Sequence, residues 1–165
     1  MKEIQVFDYA DKIIKILING AFLNTCAEGK SNSMTIAWGS LGFMWGKPVF
    51  TVMVRQSRHT YQLIEKNPEF TVTIPLKDMK HALGICGSTS GGNTDKFQAA
   101  GLIAQPGQKV STPAIPNAGI NIECKVICRQ EMSRQGLDPA MADKWYESED
   151  WHVMYYGEIL TAYKD

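Results

Sequence analysis

The spacing of apolar residues changes period several times along the chain. Between Asp8 and Asn19, the residues Ile13, Ile14, Leu17 and Ile18 recur at helical spacing. Asp8 offers a cap and Gly20 a stop, so a helix is predicted over 8–19. The period then drops towards two. Ala21 to Ala27 reads as a strand ending in the turn Glu28-Gly29-Lys30, and Ser33 to Ser40 and Pro48 to Arg55 read as two more. The connection Gly39 to Pro48 is rich in turn formers. A short helix is expected over Thr60 to Lys66, opened by Ser57 and closed by Asn67-Pro68. A strand over Glu69 to Pro75 and a helix over Lys77 to Cys86 come next, followed by the loop Gly87 to Asn93. Thr94 to Ala100 is a short helix ahead of a connector holding Pro106, Pro113 and Pro116. A long alternating strand over Ile120 to Glu131, a helix over Pro139 to Glu147 and a strand over Trp151 to Tyr163 complete the pattern.

Roughly six or seven strands with short helices between them, and no βαβ rhythm, predict a mainly β fold: an antiparallel barrel with peripheral helices. No repeat or linker divides the chain, and 165 residues with 44% hydrophobic content suit one domain over 1–165 with a real core.

Charge narrows the function classes. Seventeen Lys and Arg face 17 Asp and Glu, a net charge of zero. A duplex-binding protein carries a positive excess that displaces counterions, so no nucleic-acid partner is expected. Cys26, Cys86, Cys124 and Cys128 form no CxxC pair and read as free thiols of a reducing compartment. His59, His81 and His152 are scattered, and no metal site is expected. The opening lacks the pattern of a signal peptide, and no run suffices to span a bilayer. The chain is therefore expected to be soluble and cytoplasmic, with no membrane association.

Three segments carry candidate chemistry. Asn32-Ser33-Met34-Thr35-Ile36-Ala37-Trp38 places small polar residues and backbone amides beside an indole, which suits a flat heteroaromatic ligand. Arg55-Gln56-Ser57-Arg58-His59-Thr60 follows a strand and opens a helix. Its guanidinium groups, hydroxyls and free amides suit phosphate. Ser88 to Phe97 is a glycine-rich loop leading to Asp95 and Lys96, and Lys96 can meet a phosphate as a point charge. It matches neither GxxxxGK[ST] nor GxGxxG. Trp145 and Trp151 read as core or interface residues, and His152 as a structural or pocket histidine.

Taken together these strings resemble a known family. Asn32-x-Met34-Thr35-x-x-Trp38, Gly42-x-x-Trp45-x-x-Pro48 and Val54-Arg-x-Ser57-Arg58-x-Thr60 are similar to the flavin reductase-like family, and more narrowly to its flavoredoxin branch. Phe70-Thr-Val with Pro75, Gly87-x-x-Ser90-Gly with Asp95-Lys96-Phe97, Ile122 to Val126 and Gly157-Glu-Ile159 continue the match in order. The segment Met132 to Asp150 matches least. Where the family often has proline and an aromatic, this chain has Gln56 and His59.

The resemblance implies a split β-barrel that binds FMN, usually as a homodimer. It implies an oxidoreductase, an NAD(P)H-dependent flavin reductase with hydride transfer to flavin N5. The alternative is a flavoredoxin-type carrier that passes electrons to a protein partner. Asn32, Thr35 and Trp38, with Ser33, Met34 and Ala37 between them, would line the isoalloxazine ring. Ser57, Arg58, Thr60 and Lys96, with Arg55, would hold the phosphate, and Ser90 would also bind the cofactor. His152 is the candidate for shaping the pocket of NADH or NADPH, the expected electron donor.

Overall fold

The computed structural model describes residues 1–165. The strands are β1 (Lys2–Glu3), β2 (Ala21–Ala27), β3 (Lys30–Ile36), β4 (Gly39–Met44), β5 (Lys47–Arg55), β6 (Glu69–Pro75), β7 (Gly119–Glu131) and β8 (His152–Lys164). The helices are α1 (Ala10–Leu17), α2 (His59–Lys66), α3 (Lys80–Ser88), α4 (Lys96–Ala99) and α5 (Pro139–Trp145). All strand pairs are antiparallel, in the order β3-β2-β6-β7-β8-β5-β4, with β1 added on β8. The outermost strands β3 and β4 are joined by Ala37 and Trp38 alone. A two-residue link between opposite ends of a sheet forces those ends together. The sheet therefore curls into a barrel that stays split, without a ladder, between β3 and β4. No helix is long and apolar enough to cross a membrane.

The barrel interior is filled by alternate residues of nearly every strand. Leu23, Phe50, Val52, Val54, Phe70, Val72, Ile74, Ile120, Ile122 and Val153 are fully buried there. Gly157 has no room for a side chain, since a Cβ would come within 2.4 Å of the Phe70 ring. A smaller cluster of Phe22, Ala82, Cys86, Phe97, Ile115 and Ala118 packs α3 and α4 on the outside. A polar thread ties four strands together. Ser33 Oγ donates to Asn24 Oδ1, Asn24 Nδ2 to Thr73 Oγ1, and Thr73 Oγ1 to Asn121 Oδ1. Every member is buried, so each needs its partner.

Several boundaries differ from the sequence reading. The first helix begins at Ala10, after a 3-10 turn over Val6–Tyr9, and Asp8 lies in that turn without capping it. The strand expected over 33–40 is β3, which ends at Ile36. The supposed turn region after it is β4, the first arm of a hairpin. Its turn is Trp45-Gly46, with φ of 51° and 71°, the positive pair that a two-residue hairpin favours. Gly39 allows β4 to lie close on β5, because a Cβ there would come within 2.7 Å of the Thr51 carbonyl oxygen. The helix expected from Lys77 starts at Lys80, whose N–H is taken by the Asp78 carboxylate in a local turn. Asp95 caps α4 by accepting from the Gln98 amide, and Asp138 caps α5.

Candidate functional site

Two hollows meet at the split edge of the barrel. One is polar, about 240 Å³, and is lined by Ser57, Arg58, His59 and Thr60 at the start of α2, by the turn from Cys86 to Gly91, and by Lys96. The other is aromatic, about 230 Å³, and is lined by Ile36, Ala37, Trp38, Met53, Arg55, Trp145 and His152. Met34, Thr35 and Arg58 border both, so the hollows form one continuous cleft.

The strands explain the aromatic end. On β5, Val52 and Val54 point into the core, so Met53 and Arg55 point out on the other face. The β5–β8 register sets Arg55 opposite His152 and Met53 opposite Met154. Trp38, at the β3–β4 link, meets Trp145 edge-on at 4.8 Å between centroids and His152 at 5.5 Å. Trp38 and Trp145 remain 39% and 41% exposed, enough to offer their surfaces to a ligand.

His152 is buried, and its Nδ1 lies 2.6 Å from the Tyr146 hydroxyl. Burial, aided by the positive charge of Arg55, lowers its pKa from 6.5 to about 4, so the ring is uncharged at neutral pH.

The polar end is built around a buried cation. Lys96 is 5% exposed, and its Nζ donates to a single acceptor, the Cys86 carbonyl, at 2.8 Å. An ammonium group has three donors, so two are left without an acceptor in the protein, and Lys96 lines the hollow. Burial lowers the Lys96 pKa, and Arg58 nearby pushes it the same way. Two cations held together without a carboxylate between them make a site for an anion. Gly91 belongs to this construction, since a Cβ there would sit 1.9 Å from Asn32 Oδ1. The loop thus runs hard against β3, and only glycine lets it do so.

The residues singled out from the sequence divide into those that line the cleft and those that do not. Met34, Thr35, Ala37, Trp38, Arg55, Ser57, Arg58, Thr60, Ser90, Lys96 and His152 all line the cleft. Asn32 and Ser33 do not. Asn32 is buried behind Thr60, donating to its Oγ1 at 2.9 Å, and Ser33 belongs to the polar thread of the barrel. They lie on opposite faces of β3, and separate partners hold them away from the cleft, Thr60 of α2 for Asn32 and Asn24 of β2 for Ser33. Two of the lining residues, Arg55 and Ser57, spend their polar atoms on the protein. Arg55 donates to the carbonyls of Trp145 and Asp150 and lies 5.1 Å over the Tyr146 ring. Ser57 does not cap α2. Its hydroxyl and amide donate to the Asp150 carboxylate, and Arg58 holds the N-cap position with no side-chain bond. Arg55 and Ser57 thus anchor the segment between α5 and β8.

Met53 and Trp145, which line the cleft, and Tyr146, which supports His152 from behind, were not anticipated. Met53 shows in the alternation of β5, on the face shared with Arg55. Nothing local marks Trp145, which reaches the cleft because Arg55 and Ser57 hold its segment down, or Tyr146, which is buried behind the cleft against His152 and Arg55.

Comparison with known proteins agrees with this architecture. The model for the flavin reductase like domain matches residues 17–165. The chain belongs to the flavin reductase-like family. An uncharacterized protein of Archaeoglobus fulgidus is 28% identical over 141 residues, which take in 82% of this chain and 70% of that one. The flavoredoxin of Methanosarcina acetivorans superposes with a TM-score of 0.70 at 25% identity, over 88% of this chain and 68% of that one. A Streptomyces globisporus NADH:FAD oxidoreductase superposes with a TM-score of 0.67 over 88% of this chain and 75% of that one. At 16% identity, that last likeness shows the shared fold alone.

A flavin is the cofactor this family membership implies, and the cleft suits a phosphorylated one. The buried, under-partnered Lys96 beside Arg58 fits a phosphate, and the Trp38 wall fits a flat ring.

Proposed function

We propose that this chain is an NAD(P)H:flavin oxidoreductase that holds FMN in the split-edge cleft. One observation carries the reading: the cleft is a cationic cradle at one end and an aromatic slot at the other, continuous through Met34, Thr35 and Arg58. That polarity matches a molecule with a phosphate at one end and a flat ring at the other. Lys96 and Arg58 would take the phosphate, with Thr60 and Ser90 as neutral partners. Thr35, Ala37 and Trp38 would border the ring, and the half-exposed Trp38 and Trp145 leave room for a nicotinamide beside it. The chemistry that FMN supplies when bound is two-electron transfer, with a hydride accepted from the nicotinamide. The protein's part is to orient both rings and keep their surroundings apolar.

Anaerobic mixing of the FMN-loaded protein with NADH or NADPH tests this. Loss of flavin absorbance within seconds is expected, and a spectrum unchanged after minutes overturns the reading.

The flavoredoxin of M. acetivorans favours a second reading, an electron carrier that serves a protein partner. That reading predicts a protein that stays yellow in nicotinamide but bleaches with dithionite. In either case a homodimer is part of the proposal, and Phe43 and Trp45, exposed at the β4–β5 hairpin, are surfaces a second copy would cover. Sedimentation at several concentrations checks that. The four free thiols fit a reducing cytoplasm.

A further inference from the structure

Tyr146 is held with unusual completeness for a residue just after a short helix. Its ring stacks on Trp151 at 4.3 Å, nearly parallel, and Arg55 covers it at 5.1 Å. It is buried, and its hydroxyl reaches His152 Nδ1 at 2.6 Å with the two rings edge to face. The only other contact of that hydroxyl is Met132 Sδ at 3.7 Å.

These contacts decide the direction of the bond. A phenol is a strong donor and a weak acceptor, and an imidazole nitrogen accepts far better than a thioether sulfur. The Tyr146 proton therefore goes to Nδ1. An uncharged imidazole that accepts at Nδ1 carries its proton on Nε2. The one hydrogen bond of the ring within the protein is at Nδ1, which leaves Nε2 without one, and the ring lines the aromatic hollow beside Trp38. Burial chiefly keeps the ring uncharged, and of the charged groups around it Arg55 and Arg58 act the same way while Asp150 opposes them.

We propose that Tyr146 is a positioning residue: its hydroxyl fixes His152 as the tautomer whose Nε2–H is offered to a carbonyl oxygen of the second substrate lying against Trp38. The identification of that oxygen as the nicotinamide carboxamide rests on the function proposed above. The assignment of the tautomer does not. No proton leaves either residue in this arrangement. His152 supplies a directed hydrogen bond without a charge, and Tyr146 acts only through it.

Two measurements on the full chain test this, with Tyr146→Phe as the variant because it keeps the stacked ring. The first is the ¹⁵N spectrum of the imidazole in purified protein at pH 7, with no nicotinamide present. The wild type should show a proton-bearing Nε2 and a bare Nδ1. Tyr146→Phe should shift both signals towards the average of two exchanging tautomers. A spectrum identical in the two proteins overturns the proposal.

The second compares NADH with its thioamide analogue, whose sulfur is a poor acceptor. Wild type should prefer the carboxamide in kcat/KM, and both Tyr146→Phe and His152→Ala should erode that preference three- to tenfold, the worth of one neutral hydrogen bond. A purely structural role for Tyr146 would lower turnover of both donors alike and leave their ratio unmoved, which also overturns the proposal. A wild type inert to both donors refutes the reductase reading instead, and the imidazole spectrum then decides on Tyr146 alone.

Discussion

The two ends of the cleft are built on different plans. The polar end is assembled from short contiguous strings: Ser57 to Thr60 at the head of α2, Cys86 to Gly91, and Lys96. The aromatic end has one string too, Met34 to Trp38, but its facing walls come from separate places: Met53 and Arg55 from β5, Trp145 from α5 and His152 from β8. A site for a compact anion needs neighbouring amides, hydroxyls and cations, and a short loop supplies them. A slot for a flat ring needs walls facing each other across a gap, and only tertiary structure supplies those. The ends should therefore fail independently, one through charge and the other through shape.

The largest effect should come from charge. Removing Lys96 and Arg58 together, as Lys96→Ala with Arg58→Ala, costs two charge-assisted contacts of about 1.5–3 kcal/mol each, weakening FMN binding roughly 10²- to 10⁴-fold. Riboflavin, which lacks the phosphate, should bind the double variant as it binds wild type. Fluorescence titration with both flavins measures this. Equal losses for the two would show that the cationic hollow is not the phosphate site.

Next is the pH dependence of stability, which belongs to the aromatic end. The folded pKa of His152 is lowered to about 4 from 6.5. Between those values the unfolded chain holds a proton that the folded chain refuses, so stability should fall as pH drops through that window and rise again with pH. The loss from this group amounts to at most roughly 3 kcal/mol and is complete near the lower value. Thermal melts of wild type and His152→Gln across the window should diverge on the acid side, with the variant the flatter. Parallel curves would mean that the imidazole is not buried in its uncharged form.

How much of this was legible in the sequence follows the same division. The strings around Arg58 and Lys96 pointed to an anion before any fold was known, because the chemistry lies in local order. Trp38 was legible as an indole at the end of a polar strand. Asn32 and Ser33 were placed with the ligand because they share its string, but Asn32 is taken up by Thr60 and Ser33 by Asn24, contacts that only the fold creates. Gly39 to Pro48 read as a connection rich in turn formers, whereas Gly39 serves the close approach of β4 to β5 and only Trp45-Gly46 is the turn. Tyr146 carried no signal at all, since its position is set by Arg55, Ser57 and Asp150 across some ninety residues of chain.

Arg55 was assigned to the phosphate from its place in the string, and the structure has its guanidinium donating to two backbone carbonyls. Arg55→Lys keeps the charge but not the fork. Loss of these contacts and of the cation–π contact with Tyr146 should lower stability by about 1–3 kcal/mol. Urea unfolding would read that loss. FMN affinity should stay within about twofold of wild type if the electrostatic share of Arg55 in phosphate binding is small. A tenfold weakening with unchanged stability would restore Arg55 to the phosphate.

The smallest effect should come from the wall of the slot. Trp38→Leu removes an aromatic face while leaving an apolar side chain of lower area, and aromatic pairing is worth about 0.5–1.5 kcal/mol beyond burial. FMN and riboflavin should both weaken, roughly two- to tenfold and by the same factor, because both carry the ring and only one carries the phosphate. The cationic double variant should separate the two flavins, and the tryptophan variant should not. If Trp38→Leu instead penalised FMN alone, the ring would not lie against Trp38, and the assignment of the two ends would have to be exchanged.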